Sequence, residues 1–411
     1  PEYTIAYTGN YTTSADANLA GGMKVKRSGK GNYRYRQGTH LRHWPKAVAA
    51  VFIATGVMAA SSFTSSRAVS PTLFTSPVKF NDITVAQSRA KAPAQLRAAI
   101  EALGSQFRGT VGISVRRVDA DWEATYNADS LMPQQSVSKL WVAMTALDAV
   151  DRGKLTLMDP VTLKPTDLTL FHQPLAAMVT QNGYTTDVAN LMHRAMTESD
   201  NTANDAVLRR VGGPDAIRGF LARRFVPNVR FGPGERILQS TTSGLEWNQK
   251  MAFGRGFEAA RAALPKAVRE KALDDYLANP IDGAAPTSIT YALAKLKRGE
   301  MLSPASTEYL LEVMHEAKTG RQRIKGGVPT DWSYAHKTGT GQELYPRATG
   351  FNDVGIMTAP DGTSYAVAVM IASTTVSIPE RWAVMQGVAR AVAASHDGTL
   401  GNGTGYSIAA R

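Results

Sequence analysis

The chain has 411 residues, and 43% of them are hydrophobic, which is enough to bury a large core. Its formal net charge is +12, but eight lysines and arginines fall within residues 22–46 and two acids within residues 1–21. Residues 64–411 therefore carry +6 and contain no dense basic run, so we expect no nucleic-acid partner. The chain has no cysteine, as suits an exported protein that needs no disulfide.

Residues 47–63 are uncharged, apolar and rich in small side chains, and they follow the basic stretch directly. This order is typical of a signal peptide, and the run is short for a membrane span and contains polar residues. We expect an exported protein, periplasmic or secreted, and we favour cleavage over a tether to the inner membrane through 47–63. Met23 lies just before the basic stretch, so we take it as the true start and residues 1–22 as upstream translation.

The chain divides into four predicted segments. Residues 1–63 hold the upstream residues and the leader or anchor, and 64–92 form a linker that contains Ser, Thr and Pro. A single catalytic domain is predicted over 93–395, with an extra helical insertion at about 240–281. Residues 396–411 are Gly-rich and are predicted to be a mobile tail.

Strands are predicted near both ends of the catalytic domain. The apolar pattern predicts a helix over 94–103 and strands over 111–117 and 122–126, followed by a mainly helical middle. Strands return at three later places and precede a last helix; they lie near Trp332, Phe351 and Ser364. The chain thus begins and ends in one β-rich layer with a helical region inserted, which predicts an α/β protein of the α+β type.

A nucleophile motif, SVSK at 136–139, opens a stretch that is apolar on every side and so predicts a buried helix. Ser136 falls in the first turn and Lys139 lies one turn on, on the same face, so the hydroxyl meets an amine. The N–H groups at a helix start also favour developing negative charge. Either serine of the motif could instead be only a helix N-cap. Further S-x-x-K matches begin at Ser76 and Ser88, in a polar stretch interrupted by proline.

The second motif is Ser199-Asp200-Asn201, which lies between two helix-like runs. Its serine supplies a hydroxyl that can relay a proton within an acyl-transfer site. Ser, Asp and Asn also favour capped turns between helices, so the motif alone would predict only such a turn.

The third motif, Lys337-Thr338-Gly339, follows a predicted strand and precedes a hairpin, and its lysine can meet a substrate carboxylate. We expect Gly339 and Gly341 to leave room for a ligand backbone against this strand, although a mere hairpin edge is the alternative. A second Lys-Thr-Gly ends at Gly320 after a helical pattern, and there we predict a helix C-cap.

In this order, the three motifs resemble those of the class A serine β-lactamases, within the larger group of penicillin-recognising serine acyl enzymes. The segments LMHRAMTESDNTANDAVLRRVGGPDAI and TGRQRIKGGVPTDWSYAHKTGTG resemble the family's SDN helix pair and its approach to the KTG strand. The likeness runs from about Pro93 to Ser395. It implies an antiparallel five-stranded sheet flanked by helices, plus an all-helical lobe, with the cleft between them.

The resemblance also identifies a carboxylate for the hydrolytic step. The family carries it 36 residues after the SDN serine, which is Glu235 here, in a segment similar to the family's omega loop. The family usually has Asn four residues later, whereas this chain has Gln239, whose extra methylene could displace the water. The interval from Glu235 to Lys337 is longer than in the family, because of the 240–281 segment, which predicts one or two helices broken near Pro265. The turn after Gly341 also looks a few residues longer.

The resemblance implies a role for each remaining site residue. Ser136 would attack the lactam carbonyl, with Lys139 or Glu235 as the base, and Ser199 would pass a proton to the departing nitrogen. Asn201 would hold the substrate's side-chain amide. The amides of Ser136 and Thr340 would form the oxyanion hole. The substrate carboxylate would be bound by a further set: Lys337, Thr338, Gly339, Thr340 and Arg323. Arg323 could instead be a solvated surface charge.

No metal or cofactor is implied, because the chain lacks cysteine and its histidines have no paired ligands at useful spacing; these are His172, His193, His315 and His336. His336 precedes the KTG lysine and is interpreted as a strand residue near the cleft, not as a base. We expect a monomer that acts on a small-molecule β-lactam.

The sequence is compatible with three functions. The first is a periplasmic β-lactamase, the second a related D,D-peptidase, esterase or slow penicillin-binding protein, and the third a non-catalytic sensor or cell-wall binding module. Glu235 separates the first from the second, because penicillin-binding proteins lack such a residue and remain acylated. The intact Ser136–Lys139 pair argues against the third.

Overall fold

The computed structural model describes residues 91–400. The predicted leader or anchor, the start at Met23, the linker up to residue 90 and the tail from residue 401 lie outside the described residues, and so do Ser76 and Ser88. Among residues 91–400, no helix combines the length and the apolar composition that a membrane crossing requires.

The strands of the described region are β1 (Gly109–Arg117), β2 (Glu123–Tyr126), β3 (Met132–Pro133), β4 (Pro160–Leu163), β5 (Tyr184–Asp187), β6 (Gly283–Ala284), β7 (Ser333–Gly339), β8 (Glu343–Leu344), β9 (Arg347–Thr358) and β10 (Ser364–Thr374). The main sheet has the order β2-β1-β10-β9-β7, and all its neighbours are antiparallel. The predicted five-stranded antiparallel sheet is therefore confirmed, with one addition. The two-residue strand β8 pairs with the start of β9, so the longer turn after Gly341 contains a small hairpin.

The helices over the same residues are α1 (Ala94–Ser105), α2 (Lys139–Asp151), α3 (Val188–Thr197), α4 (Asn201–Arg210), α5 (Gly213–Arg223), α6 (Glu235–Thr242), α7 (Gly256–Ala263), α8 (Lys266–Ala278), α9 (Pro286–Lys297), α10 (Pro304–His315) and α11 (Ile378–His396). Shorter 3₁₀ turns cover Gln135–Ser138, Pro165–Asp167, Pro174–Met178, Gln249–Ala252 and Ile324–Gly327. The α+β class predicted from the strand and helix pattern is confirmed.

Successive side chains of a strand point to opposite faces of a sheet, and here a hydrophobic core covers each face. On β10, Val367 and Val369 join the core that includes the apolar sides of α1 and α11. Ala366 and Ala368 join the other core, which includes α2, α3, α4 and α9. Helix α2 lies within this second core: every residue from Lys139 to Asp148 is buried, as the apolar residues that follow Lys139 predict.

The segment at 240–281 forms two helices, α7 and α8, and Pro265 stands between them at the N-cap of α8. A proline inside a helix lacks the N–H that the preceding turn needs, so the break at this point follows from the sequence.

The prediction for Gly320 is wrong. Helix α10 ends at His315 with Glu316 as its C-cap, so Gly320 lies beyond the cap, with a left-handed φ of 75°. A Cβ atom on Gly320 would come within 2.4 Å of Thr338 Cγ2, and Thr319 Oγ1 lies 2.7 Å from Thr338 Oγ1. The second Lys-Thr-Gly therefore packs directly against the first.

Candidate active site

Ser136 and Lys139 meet at the entry to α2. The 3₁₀ turn Gln135–Ser138 runs directly into the helix, and the Lys139 Nζ atom donates a hydrogen bond of 2.7 Å to Ser136 Oγ. The same ammonium donates to Asn201 Oδ1 at 2.8 Å and forms an ion pair with Glu235 Oε1. Lys139 and Glu235 are both almost fully buried, so their opposite charges compensate each other where water cannot.

The SDN motif forms the turn between α3 and α4. Asp200 is the N-cap of α4: its carboxylate accepts from the amide of Ala203 and, at 2.5 Å, from the amide of Leu175. This cap holds Ser199 in the left-handed region at φ 63°, with its hydroxyl accepting a 2.9 Å bond from Lys337 Nζ. The turn is capped as its residue types predict, and it places Ser199 next to Lys337; the proton relay through Ser199 stays a prediction.

Asn201 uses both ends of its amide within the protein. Its oxygen accepts from Lys139, and its Nδ2 donates to the carbonyl of Leu170 at 3.0 Å. These contacts place Asn201 beside the nucleophile's lysine, and its contact with a substrate amide stays a prediction.

Strand β7 brings Lys337 to the same place from the sheet side. Lys337 is fully buried, and its Nζ donates to Ser199 Oγ and to the Thr338 carbonyl. Burial and the nearby charge of Lys139 lower the pKa of Lys337 well below its usual value. A bound substrate carboxylate would favour the protonated, positively charged form of Lys337 and so offset the effect of burial on its pKa.

The prediction that Gly339 and Gly341 leave room for a ligand is wrong. A Cβ atom on Gly339 would lie 2.3 Å from the Gln134 carbonyl, and one on Gly341 would lie 2.6 Å from the Thr349 carbonyl. The chain's own backbone takes both spaces. Gly339 therefore allows the KTG strand to lie directly against the turn that carries Ser136.

Arg323 is buried rather than a solvated surface charge. Its guanidinium lies 3.8 Å from the centre of the Phe351 ring, and its Nη1 donates to the carbonyls of Gly339 and Asn352 at 2.9 and 2.6 Å. Its Nη2 donates to Thr340 Oγ1 at 2.6 Å. Arg323 thus supports the end of the KTG strand, where Thr340 follows Gly339, and adds positive charge there.

Glu235 is the first residue of α6 and is 2% exposed. One carboxylate oxygen faces Lys139, and the other accepts from Gln239 Nε2 at 3.2 Å. Because Lys139 contacts both Ser136 Oγ and Glu235, the acid is separated from the nucleophile by a single amine. Gln239 in turn donates to Gln135 Oε1 at 3.0 Å and accepts from Gln342 Nε2.

Two buried acids next to these residues were missed in the sequence. Asp205 accepts a 3.0 Å bond from the Glu235 amide, and burial together with the Glu235 charge raises its pKa to about 6. Asp205 lies four residues after Asn201, hence on the same helix face, and this spacing was a usable signal. Asp282 accepts from the Gln135 amide at 2.7 Å and from Tyr276 at 2.8 Å, and burial raises its pKa to about 6. No spacing rule links Tyr276 and Asp282 to Ser136.

The histidines contact other groups. His336 lies in β7, fully buried, with its Nδ1 atom 2.8 Å from Asp353 and its ring stacked on Tyr334. His193 pairs with Glu316, and His172 contacts the Glu198 carbonyl. Across the part of the chain that the structure describes, no three metal-ligating side chains come together. A groove of about 1070 Å³ between the end of α9, α10 and strands β7 and β9 is lined by none of the predicted site residues.

Residues 95–395 match a family model described as the beta-lactamase enzyme family. The chain belongs to this family. It is 27% identical over 296 residues to the extended-spectrum β-lactamase PER-1 of Pseudomonas aeruginosa, a match that covers 72% of this chain and 85% of that protein. It is 28% identical over 272 residues to a β-lactamase of Mycobacterium tuberculosis, covering 65% and 74%.

Solved structures agree with this assignment. An ancestral class A β-lactamase superposes with a TM-score of 0.59 at 27% identity, covering 73% of this chain and 99% of that one. A β-lactamase from Chitinophaga pinensis gives the same TM-score at 24% identity, covering 74% and 98%, which supports the fold alone. The resemblance to class A serine β-lactamases seen in the motifs is confirmed.

Proposed function

We propose that the protein hydrolyses the amide bond of β-lactams through an ester on Ser136. The observation that carries the proposal is the position of Lys139, whose single amine contacts both Ser136 Oγ and the buried Glu235. A nucleophile, its amine and a water-activating acid are then available within one group of hydrogen-bonded side chains.

In the acylation step, Ser136 Oγ attacks the lactam carbonyl carbon and loses its proton. Lys139 takes this proton directly if it is neutral, or Glu235 takes it through a water molecule. The carbonyl oxygen becomes negative and is met by the amides of Ser136 and Thr340, where one such donor is worth about 3 kcal/mol. The C–N bond then breaks, and the nitrogen receives the proton of Ser199, which takes one in return from Lys337, its donor at 2.9 Å.

In the deacylation step, Glu235 removes a proton from water as the water attacks the ester carbonyl. The bond from the carbonyl carbon to Ser136 Oγ breaks, Ser136 takes back the proton of Glu235 by way of Lys139, and the ring-opened acid is released. Gln239, which contacts Glu235 at 3.2 Å, holds the carboxylate in place for this step.

The substrate carboxylate is assigned to the end of β7. Lys337, Thr338 and Thr340 would contact it, and Gly339 lets this end of the strand lie against the turn that carries Ser136. Arg323 would contribute charge through its bond to Thr340. Asn201 is assigned to the substrate's side-chain amide, next to Lys139.

We further propose that the protein is exported, periplasmic or secreted, because a basic and then apolar leader precedes the catalytic domain. We also propose that it is a monomer and that it protects its host from β-lactams. Fractionation of cells that express the full chain tests export, and protection of a susceptible host tests the role in resistance.

One observation favours a second candidate, a penicillin-binding D,D-peptidase or esterase that deacylates slowly. Gln239 replaces the family's usual Asn, and its amide is bonded to Gln135, Glu235 and Gln342. Under this candidate the protein forms an ester with a β-lactam but fails to release it.

Steady-state hydrolysis of a chromogenic cephalosporin tests the proposal. Wild type should turn over repeatedly and Ser136→Ala should not. Ser138→Ala is a matched control, because this serine lies in the same turn and its hydroxyl bonds to the Gln135 carbonyl. A single stoichiometric burst from wild type would support the slow-deacylating candidate instead, and turnover by Ser136→Ala would exclude an acyl-Ser136 intermediate.

A further inference from the structure

The inserted helix α8 reaches the active site through one side chain. Tyr276 is 6% exposed, and its hydroxyl lies between two polar groups of the site. It donates to Asp282 Oδ1 at 2.8 Å and accepts from Gln135 Nε2 at 2.6 Å. Burial and the Asp282 charge raise the pKa of Tyr276 well above its usual value, so the phenol keeps its proton.

From Tyr276 a chain of buried hydrogen bonds leads to the hydrolytic acid. Gln135 Oε1 accepts from Gln239 Nε2 at 3.0 Å, and the same NH₂ group donates to Glu235 Oε2 at 3.2 Å. Four bonds thus connect Asp282 with Glu235 through three side chains.

At the Asp282 end of this series of hydrogen bonds, Tyr276 sets the order of donors and acceptors. A phenol has one proton, and Tyr276 gives it to an acceptor-only carboxylate, so towards Gln135 it can only accept. Gln135 must then present its NH₂ group to Tyr276 and its oxygen to Gln239. Gln239 must in turn present its NH₂ group, which is the group that Glu235 needs.

The helix that carries Tyr276 is itself packed against the helix that carries Glu235. Leu273 and Tyr276 of α8 form a buried apolar cluster with Leu238 of α6, which is the neighbour of Gln239. The contact holds the phenol at a constant distance from the amides, because α6 and α8 are packed rather than joined by a flexible arm.

We propose that Tyr276 is a positioning residue for deacylation, which sets the amide orientations of Gln135 and Gln239 and thereby the carboxylate of Glu235. This inference rests on the proposed function, since it concerns the step that Glu235 drives. It assigns the inserted helices a part in the chemistry of the site. Without the phenol, the side-chain amide of Gln135 can rotate and turn its NH₂ group towards that of Gln239. The repulsion moves the Gln239 donor away from Glu235, against the hydrogen bond that Gln239 accepts from Gln342.

Two variants test the order of the chain. Tyr276→Phe deletes the hydroxyl. Asp282→Asn keeps the volume but reverses the order of donors and acceptors. The new side-chain oxygen must accept from the backbone N–H of Gln135, so the new NH₂ group faces Tyr276. The phenol must then donate to the side chain of Gln135 instead. Tyr334→Phe is the matched control, because it deletes another buried phenol. Its hydroxyl lies 3.3 Å from Asp353, and neither residue belongs to the series of hydrogen bonds between Asp282 and Glu235.

The measurements are acylation by stopped flow and deacylation by the decay of the acyl-protein mass, at about pH 8, where Asp282 with a pKa of about 6 is ionised. Loss of the hydrogen bond from Gln239 to Glu235 predicts deacylation about tenfold slower in both variants, with acylation within about twofold of wild type. The control should change neither rate.

Equal slowing of both rates, or deacylation at the wild-type rate in Tyr276→Phe and Asp282→Asn, would overturn the positioning role. Failure of wild type to release its ester would instead refute the proposed hydrolase. If Tyr276→Phe does not fold, the volume-conserving Asp282→Asn decides between the outcomes.

Discussion

Replacing Asp205 with asparagine should stabilise the folded protein above about pH 6 and have little effect near pH 4. Asp205 is buried beside Glu235, and its pKa is raised from 3.8 to about 6. The folded state therefore binds a proton more tightly than the unfolded state does, so stability from this group is greatest below about pH 4 and is lost as pH rises to about 6. Asparagine does not titrate, and its oxygen can still accept from the Glu235 amide.

The size of the effect follows from the two pKa values. They differ by about two pH units, and each unit corresponds to about 1.4 kcal/mol, so the variant should gain up to about 3 kcal/mol at neutral pH. Part of this gain arises because Glu235 no longer faces a second negative charge.

Urea unfolding at several pH values between about 4 and 8 measures the difference between variant and wild type. Asp215→Asn is a suitable control, because the Asp215 side chain is 92% exposed. A difference between Asp205→Asn and wild type that is the same at every pH, or a variant less stable than wild type at about pH 8, would contradict a raised pKa of Asp205.

Two further predictions concern the KTG strand. Gly339→Ala would force a Cβ atom to within 2.3 Å of the Gln134 carbonyl, so we expect a loss of about 2 kcal/mol or more in the free energy of unfolding. Gly232→Ala, which meets nothing closer than 3.8 Å, should change it little, and equal values from urea unfolding would contradict the close packing. Arg323→Lys keeps the charge but loses the fork, so KM for a β-lactam should rise about tenfold with a smaller change in kcat. The exposed Arg321→Lys should leave KM unchanged in the same steady-state assay, and an unaltered KM in Arg323→Lys would contradict the assigned role.

Local spacing predicted the parts of the site that lie on one element. Ser136 and Lys139 are three residues apart at a helix start, so their contact follows from helix geometry. The periodicity of apolar residues predicted the main strands, and the proline itself predicted the break at Pro265, because both depend on short stretches of chain.

The parts that failed depend on contacts between distant segments. Gly339 looks the same in sequence whether a ligand or the Gln134 carbonyl fills its space, and Gly320 looks like a cap until Thr338 is placed against it. Tyr276 reaches Gln135 across 141 positions of sequence, and no periodicity signals such a pair. Helices within 240–281 were predicted, but their contact with the site required the tertiary structure.

The most direct test of the account is the mass of the protein after a single exposure to a β-lactam, for wild type and for Glu235→Gln. Both should gain the mass of one substrate on the peptide that contains Ser136. Wild type should return to its unmodified mass, whereas Glu235→Gln should keep the adduct, because the buried carboxylate that activates water is gone. Release of the adduct by Glu235→Gln at the wild-type rate would contradict the central claim.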